Sequence, residues 1–187
     1  MNMTSIFERE VFRPIAITLV PGTIALTPFI FLFHNYFPNV YKILSNQPTI
    51  TGLLLILISI AVGLILEDVG SLIEVIIWYF VKESDDDDNN WYKYLRVAFK
   101  SEPIGNKYIG NIVLRMKFEN SFAPALVLLC CGIVWLRILD QIKSSCLTAW
   151  LVLVLFLVAI FLIYESYSSA KLLKRLRKEL LNGVIEL

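Results

Sequence analysis

Residues 63–80 read GLILEDVGSLIEVIIWYF, a stretch that sets Glu67, Asp68 and Glu74 inside one of the most apolar regions of the chain. Whether those carboxylates lie in lipid depends on where the membrane ends, and that boundary decides the fold. The apolar segment runs from Ile50 to Val81, 32 residues, which is about 48 Å of helix at 1.5 Å per residue. The hydrocarbon core is only about 30 Å thick. Ile50 to Leu66 carries no charge, so a helix entering lipid at Ile50 leaves it near Glu67, where a carboxylate costs far less than at the bilayer centre. Residues 71–81 then require cover. After a bend at Gly70 they lie along the headgroup layer, where Trp78 and Tyr79 suit the interface; without a bend they project straight into a cytoplasmic bundle.

The rest of the chain fits a membrane protein. Of its 187 residues, 57% are hydrophobic and 18% charged, with a mean hydropathy of +0.69, outside the range of soluble domains. Spans of about 20 apolar residues are expected at residues 14–34, 50–69, 121–139 and 147–164. The first is too long for a signal peptide and lacks a small-x-small cleavage site, so it is read as an uncleaved span. Fourteen basic residues fall on one side of this arrangement, and only Lys42, Arg137 and Lys143 on the other. The positive-inside rule then puts both termini and the central loop in the cytoplasm. The expected fold is an all-α integral membrane protein with four transmembrane helices and cytoplasmic helical extensions, located in the inner (plasma) membrane. It divides into an N-terminal hairpin (1–81, with an extension at 70–81), a cytoplasmic platform (82–120), a C-terminal hairpin (121–164) and a basic amphipathic tail (165–187).

Seventeen basic and sixteen acidic residues nearly cancel, and no nucleic-acid partner is expected. Cys130 and Cys131 are adjacent in an apolar run, where they pack as small hydrophobes, and Cys146 stands in a short loop. The single His34 has no Cys or His at ligand spacing, so neither a metal nor another cofactor is expected. No nucleophile stands near a base and no glycine-rich phosphate loop occurs, so the chain is not expected to be an enzyme.

Several segments carry two readings. Pro14, Pro21 and Pro28 recur every seven residues, with Gly22 after the second. Pro21, Gly22 and Pro28 form a hinge or a pore-lining kink, or neighbouring helices satisfy the freed carbonyls. Residues 108–120 place Ile109, Ile112, Val113 and Met116 on one helical face, yet alternate from Ile112 to Glu119 as a strand does. Pro124 fits the first turn of a new helix and suggests a break near Ser121. In the tail, Leu173, Leu176, Leu180, Val184 and Leu187 line one face, while Lys174, Arg175, Arg177 and Lys178 supply charge for anionic lipid or a docking partner.

Glu67, Ser71 and Glu74 share a helical face, with Asp68 rotated about 100° away. This acidic cluster either lines a cation path or forms a charge ring when several copies assemble, or it pairs with Arg115, Lys117 or the basic tail, locking the cytoplasmic helix ends together. Asp85 to Asp88 lack calcium-loop spacing and read as a solvated turn. Trp91, Tyr92, Lys93, Tyr94, Arg96 and Lys100 interleave aromatic and basic groups, which beside a membrane suits headgroup contact or protein docking.

Small size, four spans, cytoplasmic weighting and an Asn/Ile/Lys-rich composition together resemble the membrane components of bacterial anti-phage systems of the Kiwa type. The resemblance is one of whole-chain architecture and transfers no residue roles. It implies a membrane sensor that couples envelope disturbance to a cytoplasmic effector, with the carboxylates and the kinked first span as the switch. The expected function is therefore a non-enzymatic inner-membrane protein. It self-associates in the lipid bilayer, and its cytoplasmic face recruits or regulates a soluble partner. The alternative is a cation channel or pore-forming effector that uses Glu67, Asp68 and Glu74.

Overall fold

Apolar runs longer than the bilayer is thick leave the backbone one way to satisfy itself in lipid, the α-helix. The structure, a computed structural model, describes residues 13–81, 104–139 and 146–185, which form five α-helices and no strand. They are α1 (Arg13–Tyr36), α2 (Pro38–Ser45), α3 (Pro48–Val81), α4 (Ile104–Ile138) and α5 (Cys146–Ile185). Four of these, all but α2, are long and apolar enough to cross a membrane, which makes the chain a multi-pass membrane protein of all-α class.

The bilayer boundary follows from arithmetic on helix ends. Counting about 20 residues inward from Tyr36, Pro48, Ile138 and Cys146 reaches Ile17, Glu67, Glu119 and Glu165. On three helices that count ends on a carboxylate, and the apolar run of α3 continues beyond it to Val81. Past the carboxylates, α3, α4 and α5 continue without interruption. Gly70 introduces no bend that ends α3, and of the two covers expected for residues 71–81 the packed bundle is the one found. Residues 108–120 are helical, not extended, so residues 104–120 are the lower part of α4 and not a separate loop.

The break expected at Ser121 does not occur, since Pro124 lies inside α4. Its ring removes one intrahelical bond, to the carbonyl four residues earlier at Asn120. α3 lies close to α4 at this point: a Cβ built on Gly70 would lie 3.0 Å from the Asn120 carbonyl oxygen. A bare Cα–H against a freed carbonyl is a weak but favourable contact, and helix neighbours of this kind are what let proline persist in membrane helices.

Within the bilayer, helices gain nothing by hiding from lipid, so close van der Waals packing between small residues has to hold them. α1 and α3 meet through two small-xxx-small pairs, Thr18/Gly22 and Ser59/Gly63. A Cβ on Gly22 would overlap the Ser59 carbonyl, and one on Gly63 would overlap the Thr18 carbonyl. Gly132 of α4 takes the ring of Pro28 in the same way, and Ala25, Leu66 and Ala125 fill the space among the three helices. Pro21 and Pro28 are both fully buried. Pro21 and Pro28 therefore lie on the packed face of one unbroken helix, while Thr23 and Thr27, on its exposed side, donate back to the carbonyls of Leu19 and Thr23 at 2.7 and 3.0 Å.

Beyond the carboxylate level the packing residues become large. Ile77, Val81, Met116 and Ala170 form one cluster, with Ile73 and Trp78 against it. Ile109, Ile112 and Leu173 form a second, joined by Trp78, Val113 and Leu176. Bulky apolar side chains are the packing that the hydrophobic effect favours where water is present. α3, α4 and α5 thus form a three-helix stalk continuous with their spans.

The connection between the first two spans holds α2. Pro38 opens this helix at its first turn, where a missing N–H is no loss. The Thr51 hydroxyl lies 2.5 Å from the Leu44 carbonyl and 3.0 Å from that of Gln47, fastening the end of α2 to the start of α3.

Gly22→Ala should lower the melting temperature of the detergent-purified protein by on the order of 10 °C, since its methyl group meets backbone and no flexible side chain can yield. Gly52→Ala, where nothing lies within 4 Å, should match or slightly exceed wild type. Equal melting temperatures for the two variants would contradict the close α1–α3 contact.

Candidate functional site

The carboxylate level is the chemically dense part of the molecule. Arg115 lies one turn before Glu119 on α4, the spacing at which side chains meet on a helix. Its Nε donates to Glu119 Oε1 at 2.7 Å, and its Nη2 donates to Glu165 Oε1 on α5. One guanidinium thereby ties α4 to α5 where both leave the span. The planar, multi-donor guanidinium suits this double role better than an ammonium. Arg115 is itself more than half exposed, whereas the Glu119 side chain is 5% exposed.

Around Glu119 the helix seam is polar and closed. Asn120, Ser121 and Ser166 are fully buried, and Ser169 nearly so. The Ser121 hydroxyl satisfies itself on the carbonyls of Lys117 and Phe118 at 2.9 and 3.1 Å. Glu119 Oε2, both polar side-chain atoms of Asn120 and the Ser166 hydroxyl make no hydrogen bond among the described residues. Donors and acceptors left over in a closed seam are where hydration reaches between helices.

The expected acidic cluster is placed differently. Glu67 and Glu74 are half-buried and Asp68 is exposed. Ser71 does lie on the face shared by the two glutamates, but its hydroxyl donates to the backbone carbonyl of Glu67 at 3.0 Å and not to a carboxylate. The expected pairing of this cluster with Arg115 and Lys117 is not found among the described residues. Arg115 is occupied by Glu119 and Glu165, which the register of α4 against α5 brings nearer, and Lys117 is exposed on another face of α4. Glu119 was signalled by its i,i+4 spacing from Arg115, and Glu165 by being the first charge after the fourth span.

The basic residues at the start of the tail divide by face. Lys174 Nζ donates to the Val81 carbonyl at 3.2 Å, and the Arg177 guanidinium sits 5.2 Å above the Trp78 ring. Both thus hold α5 to the end of α3, where a cation also complements the helix dipole. Lys171, Arg175 and Lys178 face outward instead. Trp91, Tyr92, Lys93, Tyr94, Arg96 and Lys100 lie outside the described residues, as do Asp85 to Asp88.

The second prominent surface is apolar. Leu72, Val75, Ile76, Tyr79 and Phe80 of α3 are between 56% and 80% exposed. Their spacing puts them on one side of the helix, opposite the stalk core.

Cys130 is buried with its thiol directed at the Val152 carbonyl, 3.6 Å away, while Cys131 is exposed. Among the described residues, no three His, Cys, Asp or Glu side chains are grouped to hold a metal ion. Compared with protein-family models, curated proteins and solved structures, the chain matches none.

Arg115→Met should destabilise the protein by about 2 kcal/mol, because it strands the buried Glu119 carboxylate. Arg115→Met combined with Glu119→Met should recover most of the loss, and Glu67→Gln should stay within about 0.5 kcal/mol of wild type. Chemical unfolding followed by tryptophan fluorescence reads all three.

Proposed function

We propose that this protein is a non-enzymatic, homo-oligomeric platform of the inner membrane whose cytoplasmic stalk recruits or regulates a soluble protein partner. The observation that carries the reading is the exposed apolar stripe of α3. Leu72 is five residues past Glu67 and Phe80 thirteen, or about 8 and 20 Å along the helix. The headgroup layer adds only about 5–8 Å to each side of the core, so Val75, Ile76, Tyr79 and Phe80 stand beyond lipid. An apolar stripe in water calls for a protein surface.

A second copy is the occupant we assign to it. The stripe continues upward through Val69, Ile65 and Leu64, which are exposed on the lipid-facing part of α3. Insertion in one membrane fixes every copy at the same depth and in the same orientation, so identical stripes face each other without further adjustment. The outward basic face of α5, formed by Lys171, Arg175 and Lys178, is then left for an acidic surface on the soluble partner. In the anti-phage setting that the whole-chain architecture resembles, this partner is an effector and the stalk relays a change in the membrane to it.

The competing reading is a cation channel using Glu67, Asp68 and Glu74. Packing within one chain favours the platform, since backbone contacts at Gly22, Gly63 and Gly70 and the Pro28 ring against Gly132 occupy the space among α1, α3 and α4.

Native mass measurement on detergent-purified protein is expected to give a multimer. Val75→Glu with Ile76→Glu is expected to give a monomer of unchanged helicity. A wild type that stays monomeric at every concentration overturns the self-association. Charge reversal at Lys171, Arg175 and Lys178 should release any co-purifying soluble protein and leave the multimer intact. Cation-selective flux through wild-type protein in liposomes overturns the platform in favour of the channel.

A further inference from the structure

The contacts that pull α1 and α3 together lie toward one end of the pair. From Thr18/Gly22 and Ser59/Gly63 the two helices run in opposite directions toward the α2 side of the membrane, where no glycine of α1 or α3 meets the partner backbone: Gly52, near the start of α3, has nothing within 4 Å. On that side α2 joins the ends of the two helices. Beneath it lies a cavity of about 300 Å³, lined by Phe29 and Phe33 of α1, Tyr41 and Leu44 of α2, and Leu55 and Ile58 of α3, among others. From Leu26 to Phe33 its wall on α1 is about 10 Å tall.

Chemistry restricts what fills it. The serine and threonine hydroxyls at its edge are already committed: Thr51 to the carbonyls of Leu44 and Gln47, and Ser45 to that of Lys42 at 2.9 Å. Water needs two to four polar partners to occupy a cavity, and apolar cavities of half this volume stay dry and take apolar guests. Phe29, Leu54 and Ile58 are each more than 40% exposed, so the cavity opens on the lipid-facing surface of the α1–α3 pair and is continuous with the bilayer interface of the spans. Tyr41 is steadied from behind by His34, their rings 4.3 Å apart and edge to face, which holds α2 over the opening. Lys42, exposed on α2, stands at headgroup height, where an ammonium attracts lipid phosphate.

We propose that the wedge between α1 and α3 beneath α2 is a binding site for one acyl chain of a phospholipid from the leaflet on the α2 side, with its phosphate held near Lys42. The lipid fills the space between two helices that are locked together at their other end. This proposal is independent of the stalk and its partners, and neither outcome for the platform bears on it.

The test uses the full chain in nanodiscs doped with phosphatidylglycerol that carries a photoreactive diazirine near the end of one acyl chain. Labelled residues are mapped by mass spectrometry. Labelling is expected at Phe29, Leu55 and Ile58, and it should saturate and be competed by excess unlabelled phosphatidylglycerol. Labelling of Leu153 and Phe156, on the lipid-facing side of α5, should rise without saturation. Ile58→Trp, which fills the cavity, should cut the cavity labelling at least fivefold and spare α5, and Lys42→Glu should weaken it severalfold. Saturation on wild-type protein needs no variant, so a misfolded Ile58→Trp leaves the test intact. Uniform, non-saturable labelling of all lipid-facing residues overturns the proposal. So does saturable labelling by a diazirine fatty acid that phosphatidylglycerol does not displace, which would assign the cavity to a free fatty acid.

Discussion

The direct contact of α1 with α3, backbone to backbone through Thr18, Gly22, Ser59 and Gly63, is the constraint on which the rest of the bundle is arranged. Between helices in lipid there is no water to expel, and cohesion has to come from the number and closeness of atom pairs. Glycine maximises both, because it lets two main chains meet without intervening side chains. Where that contact ends, α2 and the apolar cavity lie between the helices. The closeness at one end and the gap at the other are two aspects of one distribution of small residues.

The same helices use a different chemistry once they leave the bilayer. Past Glu67, Glu119 and Glu165, the interhelical space of α3, α4 and α5 is filled by Ile77, Met116, Ile109 and Leu173 together with Trp78. These side chains would gain little from each other in lipid. In water their burial is the main stabilising term, of order 1.5–3 kcal/mol for each large side chain. Along a single helix the packing thus changes from glycine contacts to aliphatic clusters. The Arg115 bridge to Glu119 and Glu165 falls at that change, fixing α4 and α5 where neither kind of packing is at full strength.

Polar groups at the boundary have divided tasks. Lys174 and Arg177 close the lower end of the stalk on Val81 and Trp78, whereas Lys171, Arg175 and Lys178 of the same helix face outward. Asn120 and Ser166 sit in the seam with polar atoms to spare, so the most tightly closed part of the bundle is also its least satisfied. In a membrane protein such a seam specifies which helices adjoin, since an apolar lipid is a worse neighbour for those groups than another helix.

The number of candidate spans and their helical nature were legible in the sequence. Both follow from the length of apolar runs, a property measured along one dimension. Pattern alone could not choose between helix and strand for residues 108–120, because the apolar positions fit both periods until α3 and α5 supply the face they pack on. Pro124 suggested a break for the same reason, as a sequence does not show that Gly70 will stand against the carbonyl that proline frees. Arg115 was recognised as a pairing residue, but its partners depended on the register of α4 against α5. The cavity beneath α2 had no signature in the sequence, being a space between helices and not a property of any one of them. Length and apolar composition thus determined which helices can cross a membrane. Only the meeting of particular faces decided which glycines touch, which carboxylates are paired and where room remains, because those distances depend on residues far apart in the chain.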